Sequence, residues 1–384
     1  MKSHFTPEIV SREITNGNLS KPSAVEILTL LLEKSDNYVY RVECVEILGN
    51  LGIKDEKIFR ILENSLLSDE SVLVRTTATK SLINNFPISK KYINPLKYAI
   101  KTDKSGAFLK SLKELLSSKQ EPRLNILKNE LAQRIESRAS ELGVVLEEFQ
   151  FLLDLEYEAE ITLFNRKKSL ELELNSNFFH HMPLKSYLSN SIKSILWDAD
   201  AGFIAVKNKH IIGLNLGYWG LKNLPITIGQ LSRLRCLILR NNELKNLPES
   251  LKNLRKLRIL NLSGNYQLAS VPESVITIAK KTIGKKYIWE GVVPDKAYVL
   301  GILEILYGEK LEKSEYDLKN CGWDSLCHYH INEKGHIIGI YIFDDDEYPR
   351  LSTIPKYHLS LLKFLECASL QLLKRDINVN YKTF

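Results

Sequence analysis

Leu237-Ile-Leu239-Arg-Asn-Asn242-Glu-Leu244-Lys-Asn-Leu247-Pro248 is the stretch on which the reading of the fold turns. Before it runs Leu214-Asn-Leu216 … Leu221-Lys-Asn-Leu224-Pro225, and after it Leu260-Asn-Leu262-Ser-Gly-Asn265 … Leu268-Ala-Ser-Val271-Pro272. Leu214, Leu237 and Leu260 stand 23 residues apart. A fixed period of that size marks stacked units, none of which can bury its apolar face alone. Each Leu-x-Leu reads as a short parallel strand with two leucines pointing inward. Asn242 and Asn265 supply a side-chain ladder for the turn backbone, and the Leu-Pro-x-x-Leu half packs the convex side. Trp219 occupies the ladder position of the first copy, so that copy reads as a cap. The third copy carries an extra residue at Tyr266-Gln267.

These three copies resemble leucine-rich repeats of the Leu-Pro-x-x-Leu type. The resemblance implies a curved module with a concave strand face. It also implies a kinship with intracellular leucine-rich scaffolds that bind or regulate Ras-like small GTPases, which makes a small GTPase the candidate partner class.

A second period lies near the N-terminus. Asp36-Asn-Tyr-Val-Tyr-Arg41-Val-Glu-Cys44-Val-Glu-Ile-Leu48 recurs as Glu70-Ser-Val-Leu-Val-Arg75-Thr-Thr-Ala78-Thr-Lys-Ser-Leu82, with Arg41 and Arg75 34 residues apart. Small residues at Cys44 and Ala78 allow close helix approach, and Asp36 and Asp69 stand where N-caps are expected. Amphipathic segments of helical period fall at 6–16, 22–34, 55–67, 90–102 and 106–117. The Val-x-Arg-x-x-Ala-x-x-x-Leu pattern over about residues 20–118 resembles HEAT repeats, which implies an α-solenoid.

The chain also repeats itself at long range. Trp197-Asp198 … Phe203 … His210-Ile-Ile-Gly213-Leu214 matches Trp323-Asp324 … Tyr329 … His336-Ile-Ile-Gly339-Ile340 at a constant offset of 126. Leu351-Ser-Thr-Ile354-Pro355 then mirrors Leu221-Lys-Asn-Leu224-Pro225 after a four-residue insertion. The C-terminal third thus reads as a second, degraded leucine-rich start with its own helical cap. The expected fold class is an α+β repeat protein, an α-solenoid followed by leucine-rich-repeat (α/β solenoid) modules with helical caps. Its expected segments are HEAT-like helical repeats (1–118), a helical linker and acidic cap (119–196), leucine-rich repeats (197–282), and a second cap with the divergent repeat (283–384).

Of 384 residues, 44% are apolar and 26% charged, a globular balance that excludes a disordered chain. No apolar run approaches the ~18 residues of a membrane span. Five cysteines are few and odd in number, and no secretory leader is read at Met1-Lys2-Ser3-His4-Phe5, so a cytoplasmic setting with reduced thiols is expected. The net charge of +7 is unevenly spread: residues 205–286 hold fifteen Lys and Arg against Glu243, Glu249 and Glu273. Residues 141–173 are acidic in turn, with nine carboxylates against three cations. The two blocks are either solvated surfaces that partly neutralise one another or an electrostatic footprint for an acidic partner, nucleic acid included.

No phosphate loop, nucleophile elbow, His-Glu-x-x-His or kinase set is present in the sequence, so no enzyme and no cofactor is expected. Cys321, Cys327, His328, His330 and His336 crowd within sixteen residues, yet their spacing fits no familiar zinc site. Their aligned partners in the first copy are Ile195, Ala201, Gly202, Ile204 and His210, which cannot hold a metal; a structural role and no metal are expected. Asp344-Asp345-Asp346-Glu347 lacks the glycine turn of a calcium loop and reads as a solvated insertion or a contact for a basic partner, and His180-His181 reads as packing or linker.

Strand alternation places a second set of side chains on the concave face: Asn215, Cys236, Ile238, Arg240, Ile259, Asn261 and Ser263, with Tyr341 and Phe343 from the divergent module. Apolar residues beside an arginine are interface material, unless a neighbouring domain covers them. The expected function is a non-catalytic protein–protein scaffold or adaptor acting through this face. Nucleic-acid binding by the basic block, or by Lys90-Lys91 … Lys97 … Lys101 … Lys104, is the alternative, and a HEAT-type base-excision enzyme a remote one.

Overall fold

A computed structural model describes residues 5–86, 90–170, 203–262, 264, 265, 267 and 268, together with short strands at 188–189 and beyond residue 311. The chain divides into two compact units, Met1–Pro183 and Leu184–Phe384.

The first unit is helical: α1 (Pro7–Thr15), α2 (Lys21–Lys34), α3 (Tyr38–Asn50), α4 (Glu56–Ser68), α5 (Val72–Asn85), α6 (Lys90–Thr102), α7 (Gly106–Ser117), α8 (Asn125–Leu142) and α9 (Leu146–Leu170). Helices α3, α5 and α7 begin 34 residues apart, at Tyr38, Val72 and Gly106. Each odd-numbered helix packs on the next, from α1 to α9, while α4 packs on α6 and α6 on α8. Helices α8 and α9, in the segment read as linker and cap, thus lie within the same unit as the 34-residue repeats. Cys44 and Ala78 are fully buried, as the small-residue pattern requires.

The caps differ from expectation. Asn37, not Asp36, caps α3, its Oδ1 accepting from Val39 N at 3.0 Å. Asp69 instead closes α4, and its Oδ1 accepts from Ser71 N at 2.8 Å. Its second task explains the change. Arg41 grips Asp69 with Nε (2.8 Å) and Nη2 (3.1 Å), while its Nη1 donates to the Ser35 and Asp36 carbonyls. Arg75 repeats the arrangement one period later on Asp103 (2.7 and 3.1 Å) and on the Asp69 and Glu70 carbonyls. Asp103 likewise accepts from Ser105 N at 2.8 Å. Each arginine therefore ties its own helix start to the turn that begins the next period.

Gly106 opens α7 against Glu156 of α9, whose Oε2 accepts from Gly106 N at 2.5 Å. A Cβ at Gly106 would press on that carboxylate and on Leu153, so glycine lets the Glu156 side chain come close to the helix start. Burial pushes the Glu156 carboxyl up to about 7, against the Gly106 and Ala107 N–H groups and Arg138, which favour the anion. The folded-state value is raised above the unfolded one. The associated stability is therefore complete below the ordinary carboxylate value and is lost as pH rises through about 7. Glu156→Gln is expected to flatten this dependence and to gain about 1–2 kcal/mol near pH 8. Urea unfolding of both proteins at acidic and at mildly alkaline pH checks it.

In the second unit, β1 (Leu188–Ser189) pairs in parallel with β2 (Phe203–Lys207), which forms an antiparallel hairpin with β3 (His210–Asn215). Asn208 and Lys209 carry the two-residue turn at φ 51° and 62°, as the twist of a tight hairpin demands. Then β4 (Cys236–Ile238) and β5 (Ile259–Asn261) add in parallel. Leu214, Leu237 and Leu260 lie in one register row across the sheet and are all buried.

The asparagine ladder works backwards by one repeat. Asn242 Oδ1 accepts from Leu221 N (2.9 Å), and its Nδ2 donates to the Leu216 and Leu239 carbonyls (both 2.8 Å). Asn265 does the same one period on, with Leu244 N (3.2 Å) and the Leu239 and Leu262 carbonyls (2.9 and 2.8 Å). An asparagine at 219 would serve a preceding repeat, and an antiparallel hairpin stands there instead. Trp219 is thus compatible with a first repeat.

A second sheet joins β6 (Glu312–Lys313), β7 (Cys327–Ile331), β8 (Ile337–Asp344), β9 (Ser369–Lys374) and β10 (Asn378–Val379). Its pairings β6–β7 parallel, β7–β8 antiparallel and β8–β9 parallel repeat the order of β1 to β4. Both hairpins skip one residue of the second strand, Ile212 and Ile338, which are 126 apart as aligned. The facing bulge positions Ala205 and His330 are only 125 apart, so the gapless alignment is corrected by one residue in the hairpin turn. Phe203 then corresponds to His328 rather than to Tyr329.

Candidate functional site

Two register rows carry the side chains expected on the concave face. One runs Ala205–Gly213–Cys236–Ile259, the other Phe203–Asn215–Ile238–Asn261. Three expected contact residues are corrected by their burial: Asn215, Cys236 and Ile238 are closed to solvent. Cys236 and Ile238 pack with Ala205 and Ile212 in one apolar cluster of buried residues. Asn215 turns its Oδ1 to Gly217 N at 3.1 Å. Cys236 is a free thiol that burial pushes up to about 12, which makes it chemically inert.

Exposure returns toward β5 and at the C-terminal ends of the strands. Ile259 is 39% exposed, and Asn261 and Arg240 are half-buried. Arg240 lies across the bare Cα of Gly217, where a Cβ would stand 3.0 Å from its Cγ. Its guanidinium carbon sits 5.1 Å from the centroid of the Tyr218 ring, within cation–π range. Tyr218 is 44% exposed, and its N–H donates to the Arg240 carbonyl at 2.9 Å.

Tyr218 has left-handed backbone, φ 64°, as do Asn241 (52°) and Gly264 (72°) at the same place in the next two repeats. Asparagine and glycine tolerate that conformation, whereas an aromatic residue there costs about 1–2 kcal/mol. The turn therefore does not select tyrosine for itself. The sequence reading passed over Tyr218 because strand alternation ends at Gly217. The 23-residue spacing to Asn241 and Gly264 was the available signal.

Ser263 lies outside the described residues, and for Tyr341 and Phe343 only their place in β8 is described. Cys327, His328 and His330 fall in β7; Cys321, His336, Asp345–Glu347 and His180–His181 lie outside the described residues. Among the described residues no group of three or more His, Cys, Asp or Glu is placed to hold a metal ion. No described helix is long and apolar enough to cross a membrane.

A family model described as leucine rich repeats (2 copies) matches residues 232–274, the segment that holds β4, β5 and the asparagine ladder. No curated protein and no solved structure matches the chain. Leucine-rich repeats generally mediate protein–protein interaction; Arg240 lies in this segment and Tyr218 fourteen residues before it.

Proposed function

We propose that the protein is a non-catalytic, cytoplasmic interaction scaffold that joins a HEAT-like α-solenoid to a leucine-rich module. The observation that carries the reading is Tyr218, an exposed aromatic held at a strained left-handed position and stacked on Arg240. Tyrosine and arginine are the side chains most often found at interface hot spots, where strain is tolerated because binding selects it. Asn261, half-buried at the C-terminal end of β5, extends the patch. The 34-residue recurrence of α3, α5 and α7 with its paired arginines supports the solenoid half of the reading. The likeness to scaffolds of Ras-like GTPases makes a small GTPase the first partner class to try.

The test is affinity capture from nuclease-treated native lysate, with a GTP analogue or GDP added. Wild type runs beside Tyr218→Asn/Arg240→Glu. Asparagine is what the second repeat uses at this turn, so the variant keeps or slightly raises its melting temperature. A protein partner lost at least tenfold from the variant, with binding that depends on the nucleotide, is the expected result. Equal capture by the two proteins overturns the site.

A further inference from the structure

Strands β3, β4 and β5 run parallel, so their N-terminal ends share one edge of the sheet, opposite the end that carries Tyr218 and Arg240. Three turns line that edge. The hairpin turn before β3 brings Lys207 and Lys209, the turn before β4 brings Arg233 and Arg235, and the turn before β5 brings Arg255, Lys256 and Arg258. All seven side chains are exposed. Leu234 and Leu257, between the basic residues, are buried and pin each turn to the core.

The arrangement is in register. Arg258 N donates to the Arg235 carbonyl (2.9 Å) and Arg235 N to the Ile212 carbonyl (2.8 Å). Arg235 and Arg258 therefore stand on neighbouring strands about 4.8 Å apart, as do the turns holding Arg233 and Lys256. Side chains of like charge rising from adjacent turns repel one another. Among the described residues no carboxylate pairs with any of the seven. Glu243 and Glu249, the only acids over 203–262, belong to the other segments of the repeat.

We propose that this edge binds the phosphate backbone of duplex nucleic acid without reading its sequence. A linear row of unpaired guanidinium and ammonium groups matches a linear polyanion, and phosphate contacts supply most sequence-independent affinity. The exposed residues of the three turns include no aromatic or large apolar side chain; Ile259, which follows Arg258 at the end of the row, is the one beside them among the described residues. A protein interface would want such side chains at its centre, and a single-strand groove would need them for base stacking. This inference is independent of the Tyr218–Arg240 patch, which lies at the other ends of the strands.

The experiment is fluorescence anisotropy of the full chain against labelled DNA and RNA duplexes of one sequence, and against the single strands, over a salt series. Wild type should bind duplex with a log–log salt slope of about −4, which corresponds to four or five phosphate contacts. Arg235→Glu/Arg258→Glu should weaken binding at least tenfold and reduce the slope by about 2. Lys222→Glu/Lys245→Glu, the same charge change elsewhere in the repeats, should alter affinity less than twofold. Melting temperatures within a few degrees of wild type establish that both variants are folded. No duplex binding at low salt overturns the proposal, as does equal weakening by both double variants or tighter binding to single strands. Binding to phosphatidylserine vesicles that is lost in Arg235→Glu/Arg258→Glu and not competed by duplex also overturns it, in favour of a membrane surface.

Discussion

Asn242→Ala is expected to destabilise the leucine-rich unit by roughly 4 kcal/mol. The side chain is 5% exposed and makes its three shortest bonds to Leu221 N and the carbonyls of Leu216 and Leu239, with a longer one to the Arg240 carbonyl at 3.3 Å. Truncation leaves all three without that partner in a closed interior, at about 1–3 kcal/mol each, with entering water recovering part of the loss. In a unit of this size the melting temperature should fall by about 10 °C. Asn242→Asp keeps the acceptor and loses every donor bond, so it should fare no better. Asn223→Ala, at an exposed position of the first repeat, should stay within about 0.5 kcal/mol of wild type. Thermal unfolding followed by circular dichroism separates the three. A cost below about 1 kcal/mol at Asn242 would mean that the ladder is not what joins one repeat to the next.

The second large effect falls in the helical unit. Arg41 and Asp69 side chains are 9% and 10% exposed and meet through two hydrogen bonds, with the Ser35 and Asp36 carbonyls and the exposed Glu70 carboxylate taking the remaining guanidinium donors. Removing one member of such a pair strands the other charge, and Arg41→Ala is expected to cost about 3–4 kcal/mol. Arg41→Lys should recover little, because an ammonium cannot fork onto the carboxylate while also reaching Ser35 and Asp36. Arg75→Ala should match Arg41→Ala to within about 1 kcal/mol, since Asp103 and the Asp69 and Glu70 carbonyls repeat the site. Chemical denaturation of the full chain measures all three. Exposed pairs such as Arg60 with Glu56 should by contrast contribute little.

Much of the fold was legible because its spacing is physical. The 23-residue recurrence of Leu214, Leu237 and Leu260 becomes one register row of a parallel sheet. The 34-residue recurrence of Arg41 and Arg75 becomes two copies of one salt bridge. What composition could not show was direction. The asparagines serve the repeat before them, and the first repeat leans on an antiparallel hairpin whose strand β2 has no leucine signature. The candidate site was less legible. Alternation correctly set Asn215, Cys236 and Ile238 apart from the leucine face, but alternation says nothing about what covers the other face. Cys236 and Ile238 are buried in one apolar cluster with Ala205 and Ile212. Tyr218 went unread because its place in the repeat is defined by backbone conformation, φ 64°, and not by hydrophobic pattern.

On the proposed function, partners are expected to meet the protein at the Tyr218–Arg240 end of the strands. The most direct measurement places a photo-crosslinking phenylalanine at 218 and, in a second protein, at 245, which is also exposed. Both are irradiated in native lysate after nuclease treatment. The account predicts one discrete protein adduct from position 218, suppressed when Arg240→Glu is added, and none from 245. A discrete adduct from 245 with none from 218 would contradict it.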